Sequence, residues 1–424
     1  MASHSPELSN RRWDATISGV GGLHLKRDAS KVRLTIVQYA GDYREAVHRF
    51  ASGGQENYYA QKYSVNAVSD IAQYTEETTV ICCMTDKSYD EYLPNGIRAI
   101  GAGFQTGITN RRQVDLLKLM VAAQRPTHLI MRSPIQPIFR WAVQNKVRTI
   151  GIFADSFNNK SWRNRLRHFS LAQTLNHDAV EWVFNHGIAS SESLQAIGVR
   201  ADKIIPWDWP AIVTPDLFPA KTLKTSPPLW NLFYAGLIID SKGVGDLINA
   251  VSLLRSRQIP VQLNLAGKGD IDHYTDLTKR LNIQENVNFL GMVPNKQIVQ
   301  LMREADVVIV PSRPEYPEGL PMTIYESLCS RTPLVASDHP MFARCLQHRK
   351  NAMVFPAGDA IALARCLEDL LKDAQLYASI SAATEATWQQ LQIPVKWADM
   401  IQYWLNDSAE SQEWLSKHSL ARFY

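Results

Sequence analysis

The stretch between residues 305 and 337 constrains the fold of this chain more than any other part of it. Its sequence is ADVVIVPSRPEYPEGLPMTIYESLCSRTPLVAS. A buried-type strand at residues 307–310 opens it and a second one at residues 333–336 closes it, with a Pro/Gly-rich loop and a helical pattern between them. Because parallel strands need such a crossover, the segment predicts a βαβ unit of a parallel sheet.

Two acids mark the junction between the first strand and the helix of this unit. Glu318 lies in the loop, and Glu326 lies eight positions later within the helical pattern. Open parallel sheets bind ligands where strands run into helices. Helix N-terminal N–H groups hold anions and carboxylates accept hydrogen bonds from hydroxyls, so the junction predicts a ligand with both a phosphate and a polyol. The alternative is a loop acid and a helix-face acid that are both solvated.

Length and composition limit the class of protein. A chain of 424 residues exceeds one ordinary core and fits two or three domains. The sequence contains no apolar run of about 18 residues, and its first 20 residues show no apolar signal core, so we expect neither a transmembrane helix nor a secretory signal. Five cysteines form no CxxC pair, which favours reduced core thiols in a cytoplasmic protein.

The net charge of +4 is unevenly distributed. Residues 1–210 hold 25 basic and 19 acidic side chains, and residues 211–424 hold 20 and 22. The basic excess, much of it between Arg111 and Arg167, is too diffuse for a nucleic-acid-binding face. It fits a domain that meets acidic lipid or a phosphate-bearing acceptor.

Strand and helix patterns alternate along the whole chain. The first half has strand patterns at residues 32–38, 79–84, 127–131, 148–153 and 180–184, with helical patterns at 57–73 and 113–123. A Pro-, Ser- and Thr-rich break at 212–228 reads as a linker, after which a second alternation begins. The pattern predicts an α/β protein with two Rossmann-like, doubly wound domains facing a cleft, at residues 1–211 and 229–390, followed by residues 391–424.

Residues 318–326, EGLPMTIYE, resemble the Glu–x7–Glu signature of the retaining GT-B glycosyltransferases of family 4, the glycosyl transferases group 1. Three more segments, FYAGLIIDSKGVGDLINA, LNLAGKGD and NFLGMVPNKQIVQLMREAD, agree with that family in order and spacing. The resemblance covers residues 232–358. It implies transfer of a hexose from a nucleotide-diphosphate sugar to a glycan or lipid-linked acceptor, without a cofactor, a metal or a protein nucleophile.

The resemblance also implies how the second domain holds its donor. Glu318 would contact the sugar, and Glu326 would bind the ribose diol. The backbone after Glu318 would hold sugar and diphosphate, two glycine turns would line the donor, and one backbone position would read the base. The backbone segment after Glu318 is Gly319, Leu320, Pro321, Met322 and Thr323. The glycines of the two turns are Gly236 and Gly267, and the backbone position that reads the base is Val293.

Lys242 is a candidate on physical grounds as well. It follows a strand and is predicted to open a helix that Ser241 caps, so an ammonium and a helix N-terminus converge. A fixed cation there would stabilise a leaving diphosphate more in the transition state than in the ground state. The family has an arginine as well, and its position is Leu237 here. Lys242 must then act alone unless Arg313 or a base from the first domain substitutes.

The first domain offers weaker candidates. Gly54, in the Gly53-Gly54 pair after the first strand, matches a family loop that faces the donor, although such a pair is often only a turn. Asp155 stands where the family often has a histidine, and it would either assist the acceptor hydroxyl or cap the next segment. Arg132, at a strand end, would meet an acceptor phosphate.

Two segments carry alternative interpretations. Residues 160–170 place Trp162, Leu166 and Phe169 on one helical face among arginines, which is typical of an interfacial helix but also of a surface helix packed on its sheet. Residues 394–406 resemble the final GT-B helix that crosses back to the first domain. The alternative there is an amphipathic helix on its own domain.

Other functions remain open. A sugar-nucleotide epimerase or a phosphorylase shares the fold, and a glycoside hydrolase would use Glu318 and Glu326 as its acid pair. A catalytically weak or silent subunit that binds sugar nucleotide or a partner is the alternative from a different class. Leu237, and Ala154 just before Asp155, favour that interpretation.

Overall fold

The computed structural model describes residues 31–157, 161–225 and 227–423. Their strands form two separate sheets, one of eight strands and one of six. Helices pack against both sheets, so the chain has two Rossmann-like α/β domains and the predicted fold class is confirmed. The expectation about a secretory signal at residues 1–20 lies outside the described residues, as do Lys160 of the amphipathic segment and Ser226 of the linker.

The first sheet has the strand order β3-β4-β2-β1-β5-β6-β7-β8. Every strand pair in it is parallel except the antiparallel pair of β3 and β4. Its elements in chain order are β1 Arg33–Gln38, α1 Tyr43–Ala51, α2 Gln61–Ala72, β2 Glu77–Cys82, β3 Ser88–Tyr92, β4 Arg98–Ala102, α3 Arg111–Ala123, β5 His128–Met131, α4 Gln136–Gln144, β6 Arg148–Phe153, α5 Trp162–Leu175, β7 Val180–His186, α6 Ile188–Ala196 and β8 Ile204–Trp207.

The second sheet is wholly parallel and has the strand order β11-β10-β9-β12-β13-β14. Its domain comprises β9 Trp230–Ala235, α7 Val244–Ser256, β10 Val261–Ala266, α8 Ile271–Arg280, β11 Val287–Gly291, α9 Asn295–Glu304, β12 Val307–Val310, α10 Met322–Ser330, β13 Leu334–Ser337, β14 Met353–Phe355, α11 Ala360–Lys372 and α12 Ala374–Leu391. Two last helices follow, α13 Trp397–Asn406 and α14 Ala409–Lys417.

Burial explains why the central strands read as continuous apolar runs. All residues of β12 and β13 are buried, because helices cover both faces of a doubly wound sheet. Strand β3 alternates exposed and half-buried positions instead, as expected at a sheet edge with one solvated face. Its sequence therefore contains no apolar run that would predict a strand.

Helix α13 belongs to the core of the first domain. Trp397, Met400 and Trp404 share one buried cluster with Leu34 and Ile36 of β1. The chain thus passes from the first domain to the second before β9 and returns after α12. The two passages are joined by a hydrogen bond from the Asp208 backbone N–H to the Val395 carbonyl, at 3.0 Å.

The structure corrects the sequence prediction at two helix starts. The helix predicted from residue 57 begins at Gln61, and its cap, Ala60, has a left-handed backbone with φ 58°. Ser241 does not cap α7, because a 3-10 turn at Asp240–Lys242 precedes that helix and Gly243, at φ 72°, joins the two.

Gly243→Ala should destabilise the second domain strongly. A Cβ at this position would lie 2.1 Å from the Pro311 carbonyl oxygen, on a backbone with φ +72° that alanine disfavours. We expect a loss of more than about 2 kcal/mol in the free energy of unfolding, measured by denaturant titration.

Gly245→Ala is the matched control for that variant. Gly245 lies two positions later, inside α7, and its Cβ would meet nothing closer than the Tyr274 ring at 3.8 Å. Alanine there should stabilise the helix by about 0.5–1 kcal/mol. A Gly243→Ala variant as stable as the wild type would contradict the close approach to Pro311.

Candidate functional site

The loop between β12 and α10 carries the first acid of the predicted site. Glu318 forms an ion pair with Lys242, and it also accepts a hydrogen bond from the Ser312 hydroxyl at 2.7 Å. The Lys242 ammonium lies 4.0 Å from the centroid of the Tyr316 ring. The side chains of Lys242 and Glu318 are only 13% and 7% exposed, so the structure brings together two residues 76 positions apart in a partly desolvated pair.

Such a pair is ready for an exchange of partners. Desolvation makes a buried ion pair costly unless its geometry and further hydrogen bonds compensate. An incoming diphosphate would offer Lys242 a stronger anionic partner, and sugar hydroxyls would offer Glu318 neutral donors. The pair can therefore hold the site charge-compensated without a ligand and separate its two charges when a ligand enters.

Arg313, named above as a substitute cation, is held elsewhere. Its guanidinium donates to both carboxylate oxygens of Asp246, at 2.8 and 2.7 Å, and to Asp240 at 3.1 Å. A bidentate pair of this kind is a strong, oriented interaction. Leu237 is 36% exposed and offers no charge. The structure thus places Lys242, and not Arg313, beside Glu318.

Glu326, the second acid, lies inside α10 and is 5% exposed. Its carboxylate accepts a hydrogen bond from the Asn295 side-chain amide at 2.8 Å. Burial penalises the charged form and raises the pKa of Glu326 to about 7. The backbone N–H of Asn295 in turn donates to the Glu56 carbonyl of the first domain, at 3.4 Å.

The predicted glycine turns pack backbone against backbone. Gly236 has φ +154° and Gly267 has φ +151°, and a Cβ on Gly267 would lie 1.8 Å from the Gly236 carbonyl oxygen. Hydrogen bonds from Gly236 N–H to Ala266 and from Gly267 N–H to Gly291 tie the turns together. Loop packing alone therefore requires glycine at Gly267. Val293 packs, half-buried, against the neighbouring core.

The loop between β12 and α10 contacts the first domain. A Cβ on Gly319 would lie 3.3 Å from the Ala154 carbonyl and 3.4 Å from the His186 carbonyl, at the ends of β6 and β7. A Cβ on Gly187 would lie 3.7 Å from the Cβ of Leu320. Pro321 is the N-cap of α10, and neither Met322 nor Thr323, in the first turn, has its N–H capped by a side chain. The two domains thus meet where the predicted donor backbone begins.

Asp155 lies next to this contact, directly after Ala154. Its backbone is fixed by two hydrogen bonds to the Asn185 side chain, at 3.2 and 2.9 Å. Burial raises the pKa of Asp155 to about 6. Within the described ranges its carboxylate accepts no hydrogen bond, so the structure does not show it capping the following segment.

Gly54 lies away from its predicted position. Helix α1 intervenes between β1 and the Gly53-Gly54 pair, so the pair follows a helix rather than the first strand. A Cβ on Gly54 would lie 2.4 Å from the Arg49 side chain and 2.8 Å from the Arg49 carbonyl. Close packing against the last turn of α1 therefore explains why this residue is glycine, without a ligand.

Sequence reasoning missed a buried network between the domains. The Asp208 carboxylate contacts His186 Nε2 at 3.0 Å and accepts hydrogen bonds from the Trp209 N–H at 2.7 Å and the Tyr325 hydroxyl at 3.1 Å. Tyr325 directly precedes Glu326 on α10. An acid flanked by two tryptophans just before the linker was the available signal.

Helix α5 has an exposed apolar face. Trp162, Leu166 and Phe169 are 68%, 62% and 61% exposed, and Arg163, Arg165 and Arg167 are exposed on the same helix. Of the helices in the described ranges, none has the length and apolar content needed to cross a membrane. No cluster of three or more His, Cys, Asp or Glu side chains suited to a metal ion occurs in the described part of the chain.

Comparisons with known proteins show similarity in the second domain. Residues 221–387 match the family model described as "Glycosyl transferases group 1". The phosphatidyl-myo-inositol mannosyltransferase of Mycobacterium leprae is 30% identical over 152 residues, which are 35% of this chain and 40% of that one. The amylovoran biosynthesis glycosyltransferase AmsK of Erwinia amylovora is 24% identical over 37% of this chain and 39% of its own length.

The chain therefore matches about two fifths of the length of these relatives. The fold likeness extends further. The crystal structure of HepE from Anabaena in complex with UDP-glucose aligns with a TM-score of 0.59, over 91% of this chain and 99% of that one, at 17% identity. The chain thus has the GT-B arrangement of two Rossmann-like domains.

Glu326→Gln should stabilise the protein in a pH-dependent way. A carboxyl whose folded-state pKa is raised from 4.5 to about 7 contributes stability at low pH that is lost as the pH rises through 7. Glutamine removes the charge and keeps an acceptor for Asn295. We expect a gain of about 3 kcal/mol in the free energy of unfolding at pH 8 and of less than about 1 kcal/mol at pH 5.

Glu304→Gln, at an exposed position on the neighbouring helix α9, serves as the control and should change stability little at either pH. Urea titrations of the three proteins at both pH values give the comparison. Equal effects of Glu326→Gln at pH 5 and pH 8 would refute the raised pKa.

Proposed function

We propose that this chain is a retaining glycosyltransferase of family 4 that moves a hexose from a nucleotide-diphosphate sugar to a glycan or lipid-linked acceptor. The buried pair of Lys242 and Glu318 is the observation that carries the proposal. The family match over residues 221–387 and the GT-B fold support it. Cell-surface polysaccharide or glycolipid synthesis is the proposed setting.

Lys242 would stabilise the leaving diphosphate. Bond cleavage adds negative charge to that group, so a fixed ammonium in a partly desolvated site favours the transition state over the ground state. The uncapped N–H groups of Met322 and Thr323 at the start of α10 would add the helix dipole to the same task. Glu318, released from Lys242, would bind the sugar hydroxyls.

Glu326 would grip the ribose with its carboxylate. It must be ionised to accept hydrogen bonds from both hydroxyls of the diol, so its pKa of about 7 makes donor affinity fall as the pH falls below 7. Gly236, Gly267 and Val293 would line the donor through their backbone.

Acceptor attack would take place on the same face of the sugar that the diphosphate leaves. A donor phosphate oxygen would then take the acceptor proton, without a protein nucleophile. Asp155, at the contact between the domains, would orient the acceptor hydroxyl through its carboxylate. The exposed face of α5, apolar with flanking arginines, would rest on an acidic membrane surface at the cytoplasmic side when the acceptor is lipid-linked.

A weak or silent nucleotide-sugar-binding subunit is the second candidate. Two observations favour it: Leu237 stands at the family's arginine position, and Arg313 is bound to Asp246 and Asp240. Such a protein would bind a donor and release little nucleoside diphosphate.

Lys242→Gln should lower turnover at least about 100-fold, because the leaving diphosphate loses its ammonium. Release of nucleoside diphosphate, followed over a panel of nucleotide sugars and acceptors, measures this loss. Lys279→Gln, at a position 63% exposed on α8, is the matched control and should leave turnover unchanged. Equal activity of the two variants would refute the role of Lys242.

Leu237→Arg should raise turnover several-fold in the same assay. The half-exposed position lets a guanidinium reach the diphosphate beside Lys242, which adds a second cation to the transition state. If a donor raises the melting temperature of the wild type but neither protein transfers sugar, the silent-subunit function is the correct one.

A further inference from the structure

A cavity in the first domain contains an arginine without a carboxylate partner. Arg132 follows β5, and its guanidinium donates to the Gln38 side-chain oxygen at 2.7 Å and lies 5.5 Å from the centre of the Trp397 ring. It forms no ion pair with any residue that the structure describes. Burial lowers the pKa of Arg132, because the charged guanidinium is less stable away from water.

Trp397, another residue that lines this cavity, carries an unsatisfied donor. Trp397 is fully buried, and its indole N–H has no hydrogen-bond partner among the described residues. Buried tryptophan N–H groups ordinarily find an acceptor. Tyr58, which is 42% exposed, also lines this cavity. One cavity therefore holds a guanidinium that has no carboxylate partner and an indole N–H that has no acceptor among the described residues.

Two acceptors of the cavity, Asp42 Oδ1 and Gln61 Oε1, are already engaged. Asp42 is its acid, and the carboxylate accepts hydrogen bonds from the Tyr89 hydroxyl at 2.6 Å and the Glu45 N–H at 3.2 Å. The Gln61 side-chain oxygen accepts from the Asn57 N–H at 2.9 Å. A negatively charged acceptor would supply what Arg132 and the Trp397 indole N–H lack in this cavity.

The cavity lies beside the proposed reaction centre. Strand β5 pairs with β6, with Met131 opposite Gly151, and the Ala154 carbonyl after β6 contacts Gly319 of the donor loop. Neighbouring strands are about 4.8 Å apart. A group bound at Arg132 would therefore lie at the same edge of the sheet as the contact with Gly319.

We propose that this cavity binds the anionic group of the acceptor, a phosphate or a carboxylate, through Arg132 and the Trp397 indole N–H. The assignment of that ligand as the acceptor rests on the proposed function, whereas the anion site itself does not. Arginine matches tetrahedral and planar oxyanions with paired donors. An indole N–H adds a neutral donor that a cation alone would not supply.

Binding of inorganic phosphate tests the site directly. The Lys242→Gln background removes the proposed diphosphate cation, so that phosphate held there does not obscure the result. In this background, calorimetry should detect phosphate binding that Arg132→Gln weakens at least about 10-fold. Arg111→Gln, at a side chain 96% exposed in the same domain, should leave the affinity unchanged. Phosphate binding that survives Arg132→Gln overturns the proposal.

Two further variants separate binding from folding. Trp397→Phe keeps the ring and removes the N–H, so it should weaken phosphate binding several-fold while the melting temperature without phosphate stays close to the parent's. Arg132→Lys keeps the charge and loses the paired donors, so intermediate affinity is expected. If both variants keep the parent's melting temperature and the parent's phosphate affinity, Arg132 and Trp397 do not form an anion site.

The source of the anion is distinguished by two ligands. A soluble hexose 1-phosphate should compete with inorganic phosphate if the acceptor is a sugar phosphate. Vesicles of phosphatidylcholine containing phosphatidylglycerol should bind the protein in an Arg132-dependent manner if the anion is a lipid headgroup. The proposal is overturned if inorganic phosphate does not bind, hexose 1-phosphate does not bind, and vesicle binding does not depend on Arg132. Donor-dependent release of nucleoside diphosphate without acceptor is measured separately, so the proposed function can stand when this inference fails.

Discussion

The carboxylate of Asp208 holds the two domains in the arrangement on which the site depends. It is 1% exposed and contacts His186 of the first domain and the Tyr325 hydroxyl of α10. Its backbone N–H donates to Val395, where the chain returns to the first domain. Because Tyr325 precedes Glu326, this network fixes α10, and with it the second acid, relative to β7. The contact of Gly319 with the Ala154 and His186 carbonyls follows from the same placement.

The cations near the site differ in whether they have an anionic partner. Lys242 is paired with Glu318 and Arg313 with Asp246, so each of these cations has an anionic partner before a ligand arrives. Arg132, in the described part of the chain, has none. The two arrangements have different consequences: a paired cation must exchange partners to bind an anion, whereas an unpaired one gains a partner it lacks.

Much of the fold followed from the sequence because buried parallel strands are continuous apolar runs. Strands β6 and β12 have the predicted bounds for this reason. The polar edge strand β3 gave no such signal. The family resemblance predicted that Glu318 and Lys242, which are 76 positions apart in the sequence, belong to one site, and the two form an ion pair in the structure. By contrast, the Arg313–Asp246 bond and the Asp208 network depend on tertiary distances that no local pattern encodes. Gly243, rather than Ser241, is the N-cap of α7, because a 3-10 turn at Asp240–Lys242 precedes the helix.

The return of α13 to the first domain has a consequence for the order in which the chain folds during synthesis. The core beneath β1 includes Trp397, Met400 and Trp404, so a nascent chain that has just completed β8 still lacks part of that core. The second domain, in contrast, is sequence-continuous from β9 to α12 and is complete once α12 has emerged. Domains generally fold as units as they leave the ribosome. The later-made domain can therefore reach its native packing first, while the earlier-made sheet waits for the last helices of the chain.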